Sequence, residues 1–382
     1  MLTFVPLAGF LGAGKTTTLI SAAVALQRSG RRVAAITSDQ GLDLVDTQLA
    51  RGALDEVAEV AGGCFCRRFD DLAALVGDLA GSGRADVVLA EAVGNCCDLR
   101  TAVLRPLRQR FGRRVRIAPL TVLVDPARLA AFPDHARPCR RGGPCAQLRS
   151  LFRCQLAEAD VIALNKTDLF GPQRAAELVG RLAAAYPAAT VQSCSALTGD
   201  GLDALLARVV PGHRGIGKHH ALDTSARRAV PLIETESCDE CCAVGGKLAG
   251  MNQSFQVHAI DASFDAGAWG GAALRYLSDW CARSGILLGH AKVTVRTAAG
   301  MAKLSVTEPG VVPRADRTAA GPVSLGAATL NVRAACQPAA LGAAVSNAVR
   351  AADTVAGTVT SAAAHMPFEA ECPASCRVPL EH

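Results

Sequence analysis

The stretch Gly9-Phe10-Leu11-Gly12-Ala13-Gly14-Lys15-Thr16 decides the fold. It fits G-x-x-x-x-G-K-[ST], a loop whose glycines let backbone N–H groups wrap phosphate oxygens. The lysine neutralises the terminal phosphates and the Thr hydroxyl meets Mg²⁺. Its surroundings agree. Leu2 to Ala8 is a continuous apolar run that predicts a buried strand, and Leu19, Ile20, Ala23, Val24 and Leu26 recur at helical spacing between Thr16 and Gln27. The helix N-terminus adds its dipole to anion binding. The expected cradle is Gly9, Gly12, Ala13, Gly14, Lys15, Thr16 and Thr17.

Outward from this loop, strand and helix signals alternate. Strands are expected at Arg32 to Ser38, Asp55 to Val60, Asp86 to Ala90, Ile117 to Asp125, Val161 to Asn165 and Thr190 to Ser193. Helices are expected at Asp70 to Leu79, Asp98 to Arg110, Pro172 to Ala185 and Leu202 to Val210. This alternation predicts a three-layer α/β P-loop domain over residues 1–212, its mostly parallel sheet covered on both faces. Residues 213–228, with Gly, His and Lys in place of apolar periodicity, read as a linker. Residues 229–355 predict a smaller α+β C-terminal domain. Its strands fall near Phe255 to Ile260, Ala291 to Thr297, Ala302 to Val306 and Thr329 to Ala334, and its helices span Ala266 to Arg283 and Ala339 to Asp353. The polar, Pro-containing tail 356–382 is expected to be poorly ordered. No internal repeat is present.

A chain of 382 residues is long enough for two cores. Its apolar start has no basic segment before it and runs straight into the phosphate loop, and no run approaches a membrane span. A cytoplasmic protein without a membrane partner is expected, with its 15 cysteines serving as thiols or metal ligands rather than disulfides. The net charge of +6 includes a run of Arg105, Arg108, Arg110, Arg113, Arg114 and Arg116. Aromatic residues for base stacking are scarce around it, so a solvated helix face is expected and nucleic acid is not a partner.

Asn165-Lys166-Thr167-Asp168 closes an apolar strand and fits N-K-x-D. An Asp carboxylate there can accept from the N1–H and exocyclic amine of guanine, which adenine cannot donate. Ser195-Ala196 follows the next strand and fits a second guanine-side element whose backbone N–H reaches the base oxygen. Asp39 and Glu91 end neighbouring strands, where carboxylates can serve Mg²⁺, and Gly94 can offer an unhindered N–H to the γ-phosphate. Lys15, Thr16 and Glu91 are the expected catalytic set, with Thr16, Asp39 and Glu91 around Mg²⁺. No strong general base stands out, so GTP hydrolysis would rest on positioning and electrostatics.

These elements, in this order, resemble the CobW/HypB/UreG family of P-loop GTPases over roughly Leu2 to Val210. The likeness extends to Ser38-Asp39-Gln40-Gly41, to Glu91-Ala-Val-Gly-Asn-Cys-Cys-Asp98 and to Val124-Asp125-Pro126. It implies a protein that uses GTP to deliver a metal to a client, or to maintain a metal cofactor there. Family members of the CobW type carry C-x-C-C after a Gly-Gly pair. This chain has Cys64-Phe65-Cys66 with Arg67 in the third cysteine's place. Two thiolates one residue apart on an extended segment make half a site for Zn²⁺ or another thiophilic ion. The missing ligands could come from a second protomer in a homodimer, from Cys96 or Cys97, or from histidines.

Further clusters are Cys238-x-x-Cys241-Cys242, His135 with Cys139 and Cys145, His219-His220, and Cys372 with Cys376. The first has the spacing of a metal knuckle, and the rest read as solvated loops. The leading expectation is a GTP-hydrolysing metallochaperone for Zn, Co or Ni, with Cys64 and Cys66 holding the cargo and a metalloenzyme or corrinoid protein as client. The alternatives are a GTP-regulated metal sensor or store, a corrinoid-enzyme accessory GTPase, and a P-loop kinase or ATPase, which the guanine elements oppose.

Overall fold

The computed structural model describes residues 1–39, 54, 56–61, 63–132, 144–213, 248–363 and 367–368. Chain contacts divide it into two compact units, Met1–Cys242 and Ala243–His382. The strands of the first unit are β1 Leu2–Gly9, β2 Val33–Asp39, β3 Val57–Ala61, β4 Val87–Glu91, β5 Val115–Ile117, β6 Thr121–Val124, β7 Val161–Leu164 and β8 Thr190–Ser193. They form one sheet in the order β3-β2-β4-β1-β6-β7-β8, with β5 also paired to β1, and every pairing is parallel.

A parallel sheet needs both faces covered, and its central strands β1, β4, β6 and β7 are accordingly buried and mostly apolar. β1 and β4 are buried along their whole length. The helix Lys15–Arg28 lays Leu19, Ala22, Ala23 and Leu26 into one core with Val5, Leu7, Leu89 and Leu123. The strand order turns about β1, with β4 on one side and β6 on the other. Open α/β sheets place their ligands outside the carboxyl ends of strands at such a switch point. The loops after β1, β4, β7 and β8 carry the sequence elements singled out above.

Three local features differ from the sequence expectation. The strand expected from Ile117 to Asp125 is two strands, β5 and β6, separated at Ala118-Pro119-Leu120, where Pro119 has no N–H to donate to a ladder. The helix expected from Asp98 opens with a π-turn, Arg100–Leu104, before Arg105–Phe111 continues as α-helix. A helix not anticipated, Pro144–Ala157, occupies the end of the Pro/Gly/Arg-rich insertion. The six arginines of the basic run are all exposed, Arg105, Arg108 and Arg110 on the helix Arg105–Phe111 and Arg116 on β5.

The second unit is a sheet of antiparallel pairs: β9 Ala249–Ala259, β10 Leu288–Thr297, β11 Gly300–Val306, β12 Arg314–Arg317, β13 Leu325–Ala334, β14 Thr358–Ala363 and β15 Pro367–Phe368. Their order is β12-β11-β10-β13-β9-β14, with β15 also on β9. The helices Ala266–Arg283 and Pro338–Ala356 pack on each other and bury Trp269, Leu274, Leu277, Leu341 and Val345 with the inward residues of the sheet.

The expectation of a poorly ordered tail from residue 356 fails for β14 and β15. β14 pairs along β9 from Thr358↔Ala259 to Ala363↔Ser254. Asp353 fastens it, its Oδ1 accepting from Thr358 Oγ1 and Thr360 Oγ1 at 2.6 Å each and from Trp269 Nε1 at 3.0 Å. Residues 369–382, with Cys372 and Cys376, lie outside the described residues, as do 214–247 and 133–143. Linker residues 214–228, with His219 and His220, and Cys238, Cys241, Cys242, His135 and Cys139 therefore lie outside them too, and so does the side chain of Cys145.

Candidate functional site

The loop after β1 is shaped by its glycines. Gly9 has φ +135° and Gly14 φ +88°, conformations that side chains rarely adopt. A Cβ at Gly9 would stand 2.3 Å from Leu123 O, and one at Gly14 would stand 2.4 Å from Asn165 Nδ2. Lys15 Nζ donates back across the loop to Gly9 O at 3.0 Å and Phe10 O at 3.3 Å, which holds the ammonium at the loop's centre. Thr17, the third residue of the helix, is half-buried. Phe10 is clamped edge-on between Phe132 and Phe152, with ring centroids 6.2 and 6.0 Å away, and the Arg128 guanidinium lies over its ring.

Thr16 Oγ1 donates to Glu91 Oε1 at 2.9 Å, and both residues are buried. A hydroxyl and a carboxylate side by side at the start of a helix are oxygen donors of the kind Mg²⁺ takes. Ser38 Oγ donates to Glu91 O at 3.3 Å, tying the end of β2 to the end of β4. Asp39 ends β2, but its side chain lies outside the described residues. Gly94 abuts the phosphate loop, and a Cβ there would lie 2.6 Å from Leu11 Cδ2 and 3.0 Å from Leu11 N.

On the other side of β1, Asn165 is wholly committed within the protein. Its Nδ2 donates to Ala13 O and its Oδ1 accepts from Ala196 N, each at 2.9 Å. Ser195 N–H goes to Asp200 O at 2.8 Å. Both backbone N–H groups expected on the guanine side are thus bonded within the protein, that of Ala196 by Asn165. Asp168 Oδ1 accepts from Ser195 Oγ at 2.6 Å. Lys166 sits in the left-handed region at φ +62°, with Nζ 2.6 Å from Asp125 Oδ2.

Cys64, Cys66 and Cys96 come together. Their sulfurs all lie within 4.8 Å of one another, with Cys66 Sγ to Cys96 Sγ at 3.7 Å. Zinc–thiolate bonds of about 2.3 Å in a tetrahedron set sulfurs roughly 3.8 Å apart, so the donor set fits a thiophilic ion and leaves a fourth position open. Hydrogen bonds from Cys66 and Cys96 hold the Cys64 thiol well below its ordinary range. Cys96, hydrogen-bonded to Cys64 and buried, is pushed well above it. Cys97 is disulfide-bonded, which removes it from the candidate ligands and departs from the expectation of thiols throughout. The other described cysteines form no disulfide. Arg67 stays half-buried beside the cluster.

Beside the cluster, Glu158 Oε2 accepts from Arg100 N at 3.3 Å and Oε1 is enclosed without a partner. The residue as a whole is half-buried, yet burial of its carboxyl end pushes the group up to about 8. Two features of the site were missed in the sequence. The aromatic clamp on Phe10 unites residues distant along the chain, and Gln155 contacts the loop after β4 from the unanticipated helix Pro144–Ala157.

A glycine-rich loop between the central parallel strand and its helix, with Lys15, Thr16 and Glu91 gathered at its mouth, defines a P-loop nucleotide-binding domain. Residues 3–192 match the CobW/HypB/UreG nucleotide-binding domain, and the chain belongs to that family through this domain. Among curated relatives it is 32% identical over 209 residues to the zinc chaperone CobW of Pseudomonas aeruginosa, covering 47% of this chain and 53% of the relative. It is 28% identical over 192 residues to the zinc chaperone CobW of a Sinorhizobium species, covering 42% and 49%. The matches thus span about half the length of those relatives. Among solved structures, the Zn(II)-bound YjiA GTPase of E. coli aligns over 91% of this chain and 98% of its own, at 19% identity and a TM-score of 0.32. Among the described residues no helix is long and apolar enough to cross a membrane.

Proposed function

We propose that this protein is a GTP-hydrolysing metallochaperone that carries zinc to a metalloprotein client. The observation that carries the reading is the meeting of Cys64, Cys66 and Cys96, because Cys96 stands two residues beyond Gly94 on the loop that abuts the phosphate cradle. In this reading GTP is held by Gly9, Gly12, Ala13, Gly14, Lys15, Thr16 and Thr17. Thr16 and Glu91 hold Mg²⁺, joined by Asp39, and Gly94 senses the γ-phosphate. Asp168 reads guanine from the position where Ser195 Oγ orients it, while Asn165, Lys166 and Ala196 hold that loop in place. Bound Mg²⁺ supplies charge neutralisation at the transferred phosphate.

Zinc is favoured over cobalt by the all-sulfur donor set, since soft thiolates select thiophilic ions. A fourth ligand supplied by the client or by a homodimer partner would let cargo leave by exchange. The names of the CobW relatives support the same cargo. Zn²⁺ binding and GTP turnover, measured over a metal series with wild type and Cys64→Ser/Cys66→Ser, test the reading. It fails if the double variant binds Zn²⁺ as tightly as wild type.

A further inference from the structure

Gln155 has a chemical role that the site described above does not use. It lies on the buried stripe of the helix Pro144–Ala157 and is 1% exposed. Both hydrogens of its carboxamide are spent on one short stretch of backbone: Nε2 donates to Gly94 O at 3.0 Å and to Cys96 O at 2.8 Å. Its Oε1 is buried with no hydrogen-bond partner. An orphaned buried acceptor costs about 1–3 kcal/mol, so Leu or Met would fill this space more cheaply if packing were the only demand.

The stretch that Gln155 grips is a closed turn. Cys96 N donates to Val93 O at 3.0 Å, and Ala92 N extends the β1 ladder by donating to Leu7 O at 2.9 Å. One end of the turn is Gly94, pressed against Leu11 of the phosphate loop so tightly that no Cβ fits. The other end delivers Cys96 to the sulfur cluster. A turn fixed at three points moves as a body, so a displacement of Gly94 shifts the Cys96 sulfur rather than dissipating in the loop.

We propose that Gln155 is the positioning residue through which the γ-phosphate contact at Gly94 sets the affinity of the cysteine cluster for metal. This rests on the reading of the site as a GTP-controlled zinc carrier and names the residue that couples its two halves. Linkage makes the coupling mutual, so the same factor appears in nucleotide affinity when metal is bound.

The test uses the full chain as wild type, Gln155→Met and Gln155→Glu. Met keeps the volume and removes the donors; Glu keeps the shape and turns an acceptor toward the two carbonyls. Folding is checked by circular dichroism. Zn²⁺ affinity is measured by chelator competition in the GDP and non-hydrolysable GTP-analogue forms. In wild type the two affinities are expected to differ by about 5- to 150-fold, and in a folded variant the ratio falls to near one. Loss of affinity in both forms with the ratio kept is the signature of mere structural support and overturns the assignment of Gln155 while leaving the zinc-carrier reading intact. A wild-type ratio of one overturns the coupling itself and with it the GTP control in that reading.

Discussion

Thr16 Oγ1 donates to Glu91 Oε1 at 2.9 Å, joining the first turn of the helix after the phosphate loop to the end of the adjacent strand. Glu91 is thus held beside the hydroxyl expected to meet Mg²⁺. Glu91→Gln keeps the shape and removes the charge, and is expected to lower GTP turnover on the order of 10²-fold with a smaller effect on nucleotide affinity. Single-turnover hydrolysis beside binding of a fluorescent analogue checks this. Wild-type turnover in the variant rules Glu91 out of the metal site.

Asp168 is oriented by Ser195 Oγ at 2.6 Å, with its carboxylate on the loop after β7. GTP is expected to bind at least tenfold better than ATP, a difference of about 1.4 kcal/mol. Asp168→Asn should move the preference toward xanthine nucleotides, whose O2 accepts where guanine's amine donates. Equal displacement of a labelled GTP analogue by ATP and GTP would sink the assignment.

Asn165 ties Ala13 to Ala196 and fills the space above Gly14. Asn165→Ala leaves a buried carbonyl and a buried N–H unpaired, at about 1–3 kcal/mol each. Reduced thermal stability and weaker GTP binding are expected together. Stability unchanged from wild type would show that water replaces both bonds without loss.

Ligation requires ionised thiols, so zinc uptake by the Cys64, Cys66 and Cys96 cluster should release protons and weaken below neutral pH. Cys96→Ser is expected to weaken zinc binding as much as Cys66→Ser. The check is chelator competition at several pH values with proton release followed by indicator dye. A Cys96→Ser variant with wild-type affinity removes the loop after β4 from the site.

Burial of the Glu158 carboxyl raises it to about 8 from an ordinary value of 4.5. The folded chain therefore holds a proton that the unfolded chain has lost in that window. Its contribution to stability is complete below pH 4.5 and is lost as pH rises through about 8, on the order of a few kcal/mol. Glu158→Gln should flatten this loss in denaturant titrations run from pH 5 to 9. An equal slope in both proteins would assign the pH dependence elsewhere.

The sequence was most readable where residue type and spacing are dictated by backbone geometry. The phosphate loop was legible because Gly9, Gly12 and Gly14 take positive φ and Lys15-Thr16 must follow. The helices Pro172–Ala185 and Ala266–Arg283 have the expected bounds, each being preceded by a clear boundary residue. The cysteine cluster was only half legible, since Cys96 joins Cys64 and Cys66 through strand order. Asn165 belongs to a recognisable motif, but its service to Ala13 and Ala196 depends on the spacing of β1, β7 and β8. In the helix Pro144–Ala157, the buried set Leu148, Leu151, Phe152, Gln155 and Leu156 has helical spacing. Gly142-Gly143-Pro144 before it, and a glutamine within the stripe, mask that pattern. Strand β14 is polar because it lies at a sheet edge, and its order comes from β9 and Asp353.

With Arg67 in the place of a third adjacent cysteine, the sulfur cluster bridges two loops, and Cys66 and Cys96 lie 30 residues apart. An ion bound there acts as a removable cross-link, closing a loop that contains the helix Phe69–Ser82 and all of β4. In the chain-entropy description, closing about 30 residues restricts the unfolded chain by roughly 3–4 kcal/mol. Loading would then stiffen one flank of the domain against local opening, and release would loosen it. Amide exchange in Phe69–Ser82 would consequently report cargo occupancy from a helix that supplies no ligand.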